Sequence, residues 1–271
     1  MRIRDITVGA GSPLLLISGL NVLETLDSAL KCAEGVAAIA ERHGMSAVFK
    51  ASFDKANRSS RESYRGVGLD AGLRMLERAK AASGLPVTTD VHEPGQAKLV
   101  AEVAELLQIP AFLSRQTDLV KACAETGVPI NIKKGQFMAP DDVIHAVEKA
   151  KGFGARGVMV TERGTSFGYH DLIVDMRGLL AMRAASPVAF DATHAVQHPG
   201  AGIGASSGDR SYVAPLARAA VALGIDALFV ETHPDPDRAP CDPACQIRLA
   251  DLDALLDDVV AIREATDRKR A

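Results

Sequence analysis

Short apolar runs alternate with longer segments of helical period along this chain. Runs of four to seven apolar or β-branched residues predict strands at LLLIS (14–18), AVFKA (47–51), PVTTDV (86–91) and LLQIP (106–110). The same pattern recurs at PINIKK (129–134), GVMVTE (157–162), PVAFD (187–191) and ALFVETH (227–233). Helical periodicity predicts helices over 24–43, 69–83, 95–104, 117–126, 140–152, 173–185, 212–223 and 249–266. In the first of these, Leu26, Ala29, Leu30, Cys32, Ala33 and Val36 share one stripe. Strands alternating with helices predict a parallel sheet, closed as one α/β domain over 1–271, a single (β/α)8 TIM barrel. The first twelve residues fit a short N-terminal β-hairpin that caps the barrel bottom. An open doubly wound sheet is the alternative, but no GxGxxG follows any strand.

A barrel concentrates its chemistry at the C-terminal strand ends, because its interior is filled by apolar side chains. Every predicted strand exit carries polar or ionisable residues. Asn21 follows the first strand. Lys50, Ser52, Lys55, Asn57, Arg58 and Ser59 follow the second, inside FKASFDKANRSS. Asp90, His92 and Glu93 close the third, and Gln108 lies near the end of the fourth. Lys133, Lys134 and Gln136 end the fifth, and Glu162 and Arg163 the sixth. Asp191 and His194 follow the seventh, and Glu231, His233 and Asp235 the eighth.

Composition narrows what such a mouth serves. The chain has 271 residues and a formal net charge of −3, which argues against a nucleic-acid surface. No apolar run reaches the roughly 18 residues of a membrane span. No signal-peptide core precedes the first strand, and four scattered cysteines read as reduced thiols, so a cytoplasmic location is expected. Cys241 and Cys245 form a CxxxC pair with no second pair to complete a metal site. Against that balanced background, Lys50, Lys55, Arg58, Lys133 and Arg163 converge on strand exits. So many cations suggest a phosphorylated ligand, since each charge-assisted hydrogen bond contributes roughly 1.5–3 kcal/mol. RGTSFG (163–168) adds backbone N–H groups and hydroxyls suited to phosphate.

The motifs SGLNVLET, FKASFDKANRSS, TDVHEP, QIPAFLSRQTDL, NIKKGQF, ERGTSFGY, FDATHAVQ and FVETHPDPDRAPCD run in this order through nearly the whole chain. Together they closely resemble the 3-deoxy-D-manno-octulosonate 8-phosphate synthase family. The resemblance implies condensation of phosphoenolpyruvate with arabinose 5-phosphate on a (β/α)8 barrel, within lipopolysaccharide biosynthesis, by a homotetramer. Both substrates are small molecules; no membrane or nucleic-acid partner is implied. The sibling family that makes 3-deoxy-D-arabino-heptulosonate 7-phosphate from erythrose 4-phosphate typically has Lys-Pro-Arg-Thr where this chain has KANRS (55–59).

Residue by residue, the resemblance implies that Lys50, Ser52 and Lys55 line the phosphoenolpyruvate pocket. It implies that Asn57, Arg58 and Ser59 hold arabinose 5-phosphate, with contacts that a neighbouring subunit can supply. Lys133, Gln136 and Arg163 match the phosphate-binding positions of phosphoenolpyruvate, and Asp90 and Gln108 match further pocket positions. Asn21, Lys55, His194 and Asp242 are the catalytic candidates, for proton handling or for orienting water. One branch of the family binds a divalent metal through Cys, His, Glu and Asp. His194, Glu231 and Asp242 match three of those ligands, but Asn21 stands at the cysteine position. A neutral amide supplies no thiolate, so the resemblance implies a metal-independent enzyme with no cofactor. A Schiff-base aldolase using Lys50 or Lys133, and a non-catalytic binding barrel, remain open at this point.

Overall fold

A computed structural model describes residues 1–9, 11–201 and 207–267. Eight parallel strands close on themselves. They are β1 (Leu15–Val22), β2 (Ala47–Ser52), β3 (Val87–Asp90), β4 (Leu106–Ile109), β5 (Ile130–Lys133), β6 (Val158–Glu162), β7 (Val188–Asp191) and β8 (Ala227–His233). Each pairs with its sequence neighbours, and β8 closes the ring by pairing with both β7 and β1. The helices that follow are α1 (Leu26–Arg42), α2 (Leu69–Ser83), α3 (Ala97–Val103), α4 (Thr117–Glu125), α5 (Val143–Gly152), α6 (Met176–Arg183), α7 (Val213–Ala222) and α8 (Leu252–Asp267). The expected barrel is therefore present, with every predicted strand and helix in place.

Several boundaries differ by a few residues, two of them for a tertiary reason. The predicted first strand stops at Ser18, where Gly19 breaks the apolar run. In the fold β1 continues to Val22: both β8 and β2 pair with Gly19, and β2 pairs again with Val22. That extension carries Asn21 into the strand-exit layer. The helix predicted from residue 173 starts at Met176 because Leu172–Ile173 pairs with Thr165–Ser166 as a short antiparallel ribbon. The helix predicted from residue 140 starts at Val143.

Local chemistry fixes the helix ends. Thr25 caps α1 through a capping box with Ser28, which satisfies two otherwise orphaned N–H groups. Gly84 ends α2 in the left-handed region at φ 72°. The helices bury one apolar stripe each against the outer wall of the barrel, forming the larger core.

A second, separate apolar cluster fills the bottom of the barrel interior. Arg2–Ile3 pairs antiparallel with Ile6–Thr7, the expected hairpin. Ile3 and the following Val8 then pack on Leu15, Ile17, Val48, Leu106 and Phe229. The bottom is thereby plugged with hydrocarbon, and polar side chains inside the barrel are confined to its top.

One close approach sets the top. Gly19 sits at φ 149°, and a Cβ there would lie 2.2 Å from the carbonyl oxygen of Lys50. The register between β1 and β2 shifts just beyond it. Gly19→Ala is expected to force these strands apart and to destabilise the protein by roughly 1–3 kcal/mol, as overpacked sites do. Urea unfolding measures this; an unchanged midpoint would show that β1 and β2 separate freely at this point.

Candidate active site

Strand alternation decides which side chains enter the mouth. Lys50 and Ser52 on β2, Asp90 on β3, Gln108 on β4, Lys133 on β5, Asp191 on β7 and Glu231 on β8 point inward at successive strand ends. All are buried. Two adjoining cavities of about 160 Å³ each lie above them. One is walled by Lys55, Asp90, Gln108, Lys133, Gln136 and Arg163. The other is walled by Arg58, Ser59, Gln197, Cys241 and Asp242. Lys55, Asn57, Phe112, Gln136, Arg163 and His194 border both.

Four expected site residues lie beneath these chambers instead of on their walls. Asn21, Lys50, Ser52 and Glu231 are each at most 1% exposed. The Lys50 ammonium donates to Glu231 Oε1 at 2.5 Å and to the carbonyls of Leu20 and Asn21 at 3.2 and 2.9 Å. Its three N–H bonds are thus spent on the protein. Ser52 Oγ donates to Asp90 at 2.6 Å. Both were expected to line the pocket, and both support its floor.

The convergence of cations is also more balanced than it looks in sequence. Lys133 lies 2.5 Å from Asp191, Lys55 lies 3.7 Å from Asp90, and Lys50 pairs with Glu231. Lys133 also stands 4.2 Å from the centroid of the Phe229 ring, a cation–π distance. The arginines differ. Arg163 donates through Nη2 to the neutral Gln197 at 2.6 Å, and its buried Nη1 has no partner. Arg58 contacts the Cys241 sulfur, and its buried Nε has no partner. Among the described residues, then, these three lysines are neutralised, while the two arginines that border the chambers each keep one buried N–H group without a partner.

Not every polar residue at the fifth and sixth strand ends enters the mouth. Glu162 and Lys134 turn away from the mouth and approach each other at 3.6 Å under the neighbouring loop. Several backbone N–H groups of RGTSFG are already occupied. Those of Arg163 and Gly164 donate to Glu162, and that of Ser166 donates to the Gln136 carbonyl.

His194 accepts its orientation from Asp191. Its ring Nδ1 is 2.7 Å from Asp191 Oδ2, and its backbone N–H donates to Oδ1 at 2.8 Å. Its Nε2 lies 3.6 Å from Glu231. The Asn21 amide nitrogen donates to Glu231 at 2.6 Å and to Asp242 at 3.1 Å. Asn21, His194, Glu231 and Asp242 do come together, as their spacing along the chain could not reveal. Yet the vertex between the two carboxylates is filled by a hydrogen-bond donor. The donor set as arranged does not fit a divalent cation, which needs those lone pairs free.

Electrostatics follow from this pairing. Burial opposes ionisation of Glu231, but His194, Lys50 and the other lysines outweigh it and hold the carboxyl at about 2. Burial likewise pushes Asp90 and Asp191 up, and the adjacent cations win, leaving both well below the usual carboxylate range. For Lys50 burial wins over the attraction of Glu231 and lowers it to about 8. For Lys55 burial is overcome by Asp90 and Glu231, and its pKa rises. Burial raises the Cys241 thiol to about 12, so it is a neutral neighbour of Arg58.

Sequence inspection gives no sign of Gln197, and marks Cys241 only as half of a CxxxC pair, although these are the neutral partners of Arg163 and Arg58. Neither carries a local signal, because each meets its arginine across a long separation in the chain. The largest described cavity, about 700 Å³, is at the opposite barrel end beside Pro13, His43 and Arg263. Its arginines are already held: Arg183 by Asp226, and Arg263 by Asp267 and two carbonyls. Size alone does not pick out the site; convergent unsatisfied polar groups do.

Residues 1–268 match the family model described as the DAHP synthetase I family. A relative from Magnetococcus marinus is 52% identical over 265 residues, covering 96% of this chain and 92% of its own. One from a Synechococcus strain is 54% identical over 260 residues, with 96% and 92% covered. A third, from a Cyanothece strain, is 52% identical over 262 residues and covers 96% of each chain. All three are named 2-dehydro-3-deoxyphosphooctonate aldolase.

The buried pair under the floor has a measurable signature. Lys50 is expected to titrate near pH 8 instead of near 10.5. Glu231→Gln removes the chief attraction that opposes burial, so the titration should move lower still. Lysine side-chain NMR, assigned with a Lys50→Met variant, reads both. A wild-type midpoint at the ordinary lysine value would mean that the ammonium is solvated.

Proposed function

The chain belongs to the DAHP synthetase I family, and we propose that it condenses phosphoenolpyruvate with D-arabinose 5-phosphate and water. The products are 3-deoxy-D-manno-octulosonate 8-phosphate and inorganic phosphate. This makes it an enzyme of lipopolysaccharide biosynthesis, as the shared name of its relatives supports. The observation that carries the assignment is the pair of adjoining chambers, bordered by two arginines that each keep an N–H group without a partner. Two phosphorylated substrates that must meet need two anion sites side by side.

In the chemistry, C3 of the enol attacks the sugar aldehyde carbon, and the aldehyde oxygen gains a proton. Water adds at C2, giving a hemiketal phosphate. Its C–O bond to phosphate then breaks, releasing inorganic phosphate and the 2-keto acid. Charge develops at C2 and at the aldehyde oxygen, so fixed cations and donors there lower the barrier without reorganising.

The roles are assigned as follows. Lys55, Lys133, Gln136 and Arg163 hold the carboxylate and phosphate of phosphoenolpyruvate, with Asp90 and Gln108 ordering Lys55. Lys50, Ser52, Asn21 and Glu231 support the floor from below. Asn57, Arg58 and Ser59 hold the sugar phosphate in the second chamber. His194, oriented by Asp191, borders both chambers and Asp242 borders the second; these are the groups placed to move protons or orient water. Lys133 acts as a charge, since Asp191 and the Phe229 face stabilise its ammonium form. The Asn21 amide takes the carboxylate lone pairs that a metal would need, which supports turnover without one.

We also propose a cytoplasmic homotetramer. Phe112, Phe137, Phe167 and Tyr169 are 50–86% exposed on the loops after β4, β5 and β6. An apolar rim on three neighbouring loops is the kind of surface that a second copy covers. Among the described residues, no helix is long and apolar enough to cross a membrane.

Two experiments test the assignment. Phosphate release from phosphoenolpyruvate should occur with arabinose 5-phosphate and fall far with erythrose 4-phosphate, and it should survive exhaustive chelation. Preference for the four-carbon sugar would move the chain to the sibling activity. Silencing by chelator with rescue by a divalent ion would overturn the metal-independent assignment. Separately, Arg58→Ala should raise KM for arabinose 5-phosphate by about tenfold or more, the loss of one charge-assisted hydrogen bond, with little change for phosphoenolpyruvate. Equal weakening of both substrates would reject Arg58 as the sugar-phosphate anchor.

A further inference from the structure

Five consecutive strands carry one run of side-chain hydrogen bonds around the barrel wall. On β6, Thr161 Oγ1 donates to Asn131 Oδ1 on β5 at 2.6 Å. Asn131 Nδ2 donates to Gln108 Oε1 on β4 at 3.1 Å. Gln108 Nε2 donates to Asp90 Oδ1 on β3 at 2.5 Å, and Ser52 on β2 donates to the other Asp90 oxygen at 2.6 Å. Asp90 in turn faces the Lys55 ammonium at 3.7 Å. The Asp90–Gln108–Asn131 positions are direct ladder neighbours, so their side chains meet by register.

The direction of the run is set by chemistry. An ionised carboxylate only accepts, so Gln108 must present its NH2 to Asp90. Its oxygen then needs a donor, which is the Asn131 NH2. That leaves the Asn131 oxygen, which the Thr161 hydroxyl supplies. Thr161 and Asn131 are completely buried and border neither chamber. Barrel interiors are usually apolar at this depth, and a buried amide is costly unless each of its groups is paired.

We infer that Asn131 and Thr161 are positioning residues, which lock the Gln108 amide so that the Asp90 carboxylate and the Lys55 ammonium face the phosphoenolpyruvate chamber in one fixed arrangement. The inference rests on the assignment of that chamber in the preceding section. Without the hydroxyl, the Asn131 amide is free to turn. Gln108 can follow it, and Asp90 then meets an oxygen where it had a donor.

Thr161→Val keeps the shape and removes only the donor, so it is the central variant. KM for phosphoenolpyruvate should rise about fivefold, the net value of one buried hydrogen bond, with KM for arabinose 5-phosphate near wild type. Thr161→Ser keeps the hydroxyl and should restore the wild-type value. Asn131→Asp offers only acceptors and reverses the run, so its loss should exceed that of Thr161→Val. If Asn131→Asp does not fold, the two Thr161 variants decide the matter alone. Equal losses in Thr161→Val and Thr161→Ser, or an unchanged KM for phosphoenolpyruvate in Thr161→Val, would overturn the inference while leaving the functional assignment intact. A wild-type enzyme that does not consume phosphoenolpyruvate with arabinose 5-phosphate would overturn the assignment and, with it, the inference.

Discussion

The ion pair between Lys50 and Glu231 joins β2 to β8 with both side chains 1% exposed. A lone charge at that depth would lose its hydration and cost several kcal/mol. The top of this barrel is organised around avoiding that cost. Asp90 meets Lys55, Asp191 meets Lys133, and Glu231 meets Lys50, each pair joining groups far apart in the chain. Remaining lone pairs are taken by Ser52, Gln108, Thr193, His194 and Asn21. Gly19 is part of the same constraint. Only a residue without a side chain lets β1 approach the Lys50 carbonyl so closely.

Pairing the lysines gives the mouth its selectivity. A mouth of unpaired cations would attract any anion. Here Lys50 lies in the floor and Lys55 and Lys133 on the walls, each paired with a carboxylate, and the N–H groups without a partner belong to Arg58 and Arg163. Guanidinium groups match the geometry of phosphate oxygens better than an ammonium does. Each arginine is held by a neutral partner, Cys241 or Gln197, so its charge is not spent within the protein. A rigid barrel keeps the two chambers a fixed distance apart, as the proposed joining of two phosphorylated substrates requires.

The same accounting explains why the opposite end carries no comparable chemistry. Its large cavity is bordered by arginines whose donors are occupied by Asp226, Asp267 and backbone carbonyls. The barrel interior beneath the mouth is sealed by Ile3, Val8 and the hydrocarbon of β1, β2, β4 and β8. Water and charge are thus excluded from below, and the polar layer above is strengthened by the low dielectric around it.

Much of this protein is determined by sequence alone. Alternating short apolar runs and helical periods specify the (β/α)8 barrel, because strand and helix periodicity are local properties of the chain. The strand-exit rule then locates Lys50, Lys55, Arg58, Asp90, Gln108, Lys133, Arg163, His194 and Glu231 at one end. What periodicity cannot carry is which charges neutralise each other, since that depends on barrel closure and register between strands. Tertiary structure alone decided that Lys50 lies beneath the floor and that Glu162 and Lys134 face outward. It also decided that Arg58 and Arg163 keep N–H groups without a partner, and that the Asn21 amide fills the vertex between Glu231 and Asp242. Each of these outcomes turns on an ångström-scale contact between residues tens to hundreds of positions apart, brought together only when β8 pairs with β1 and β7.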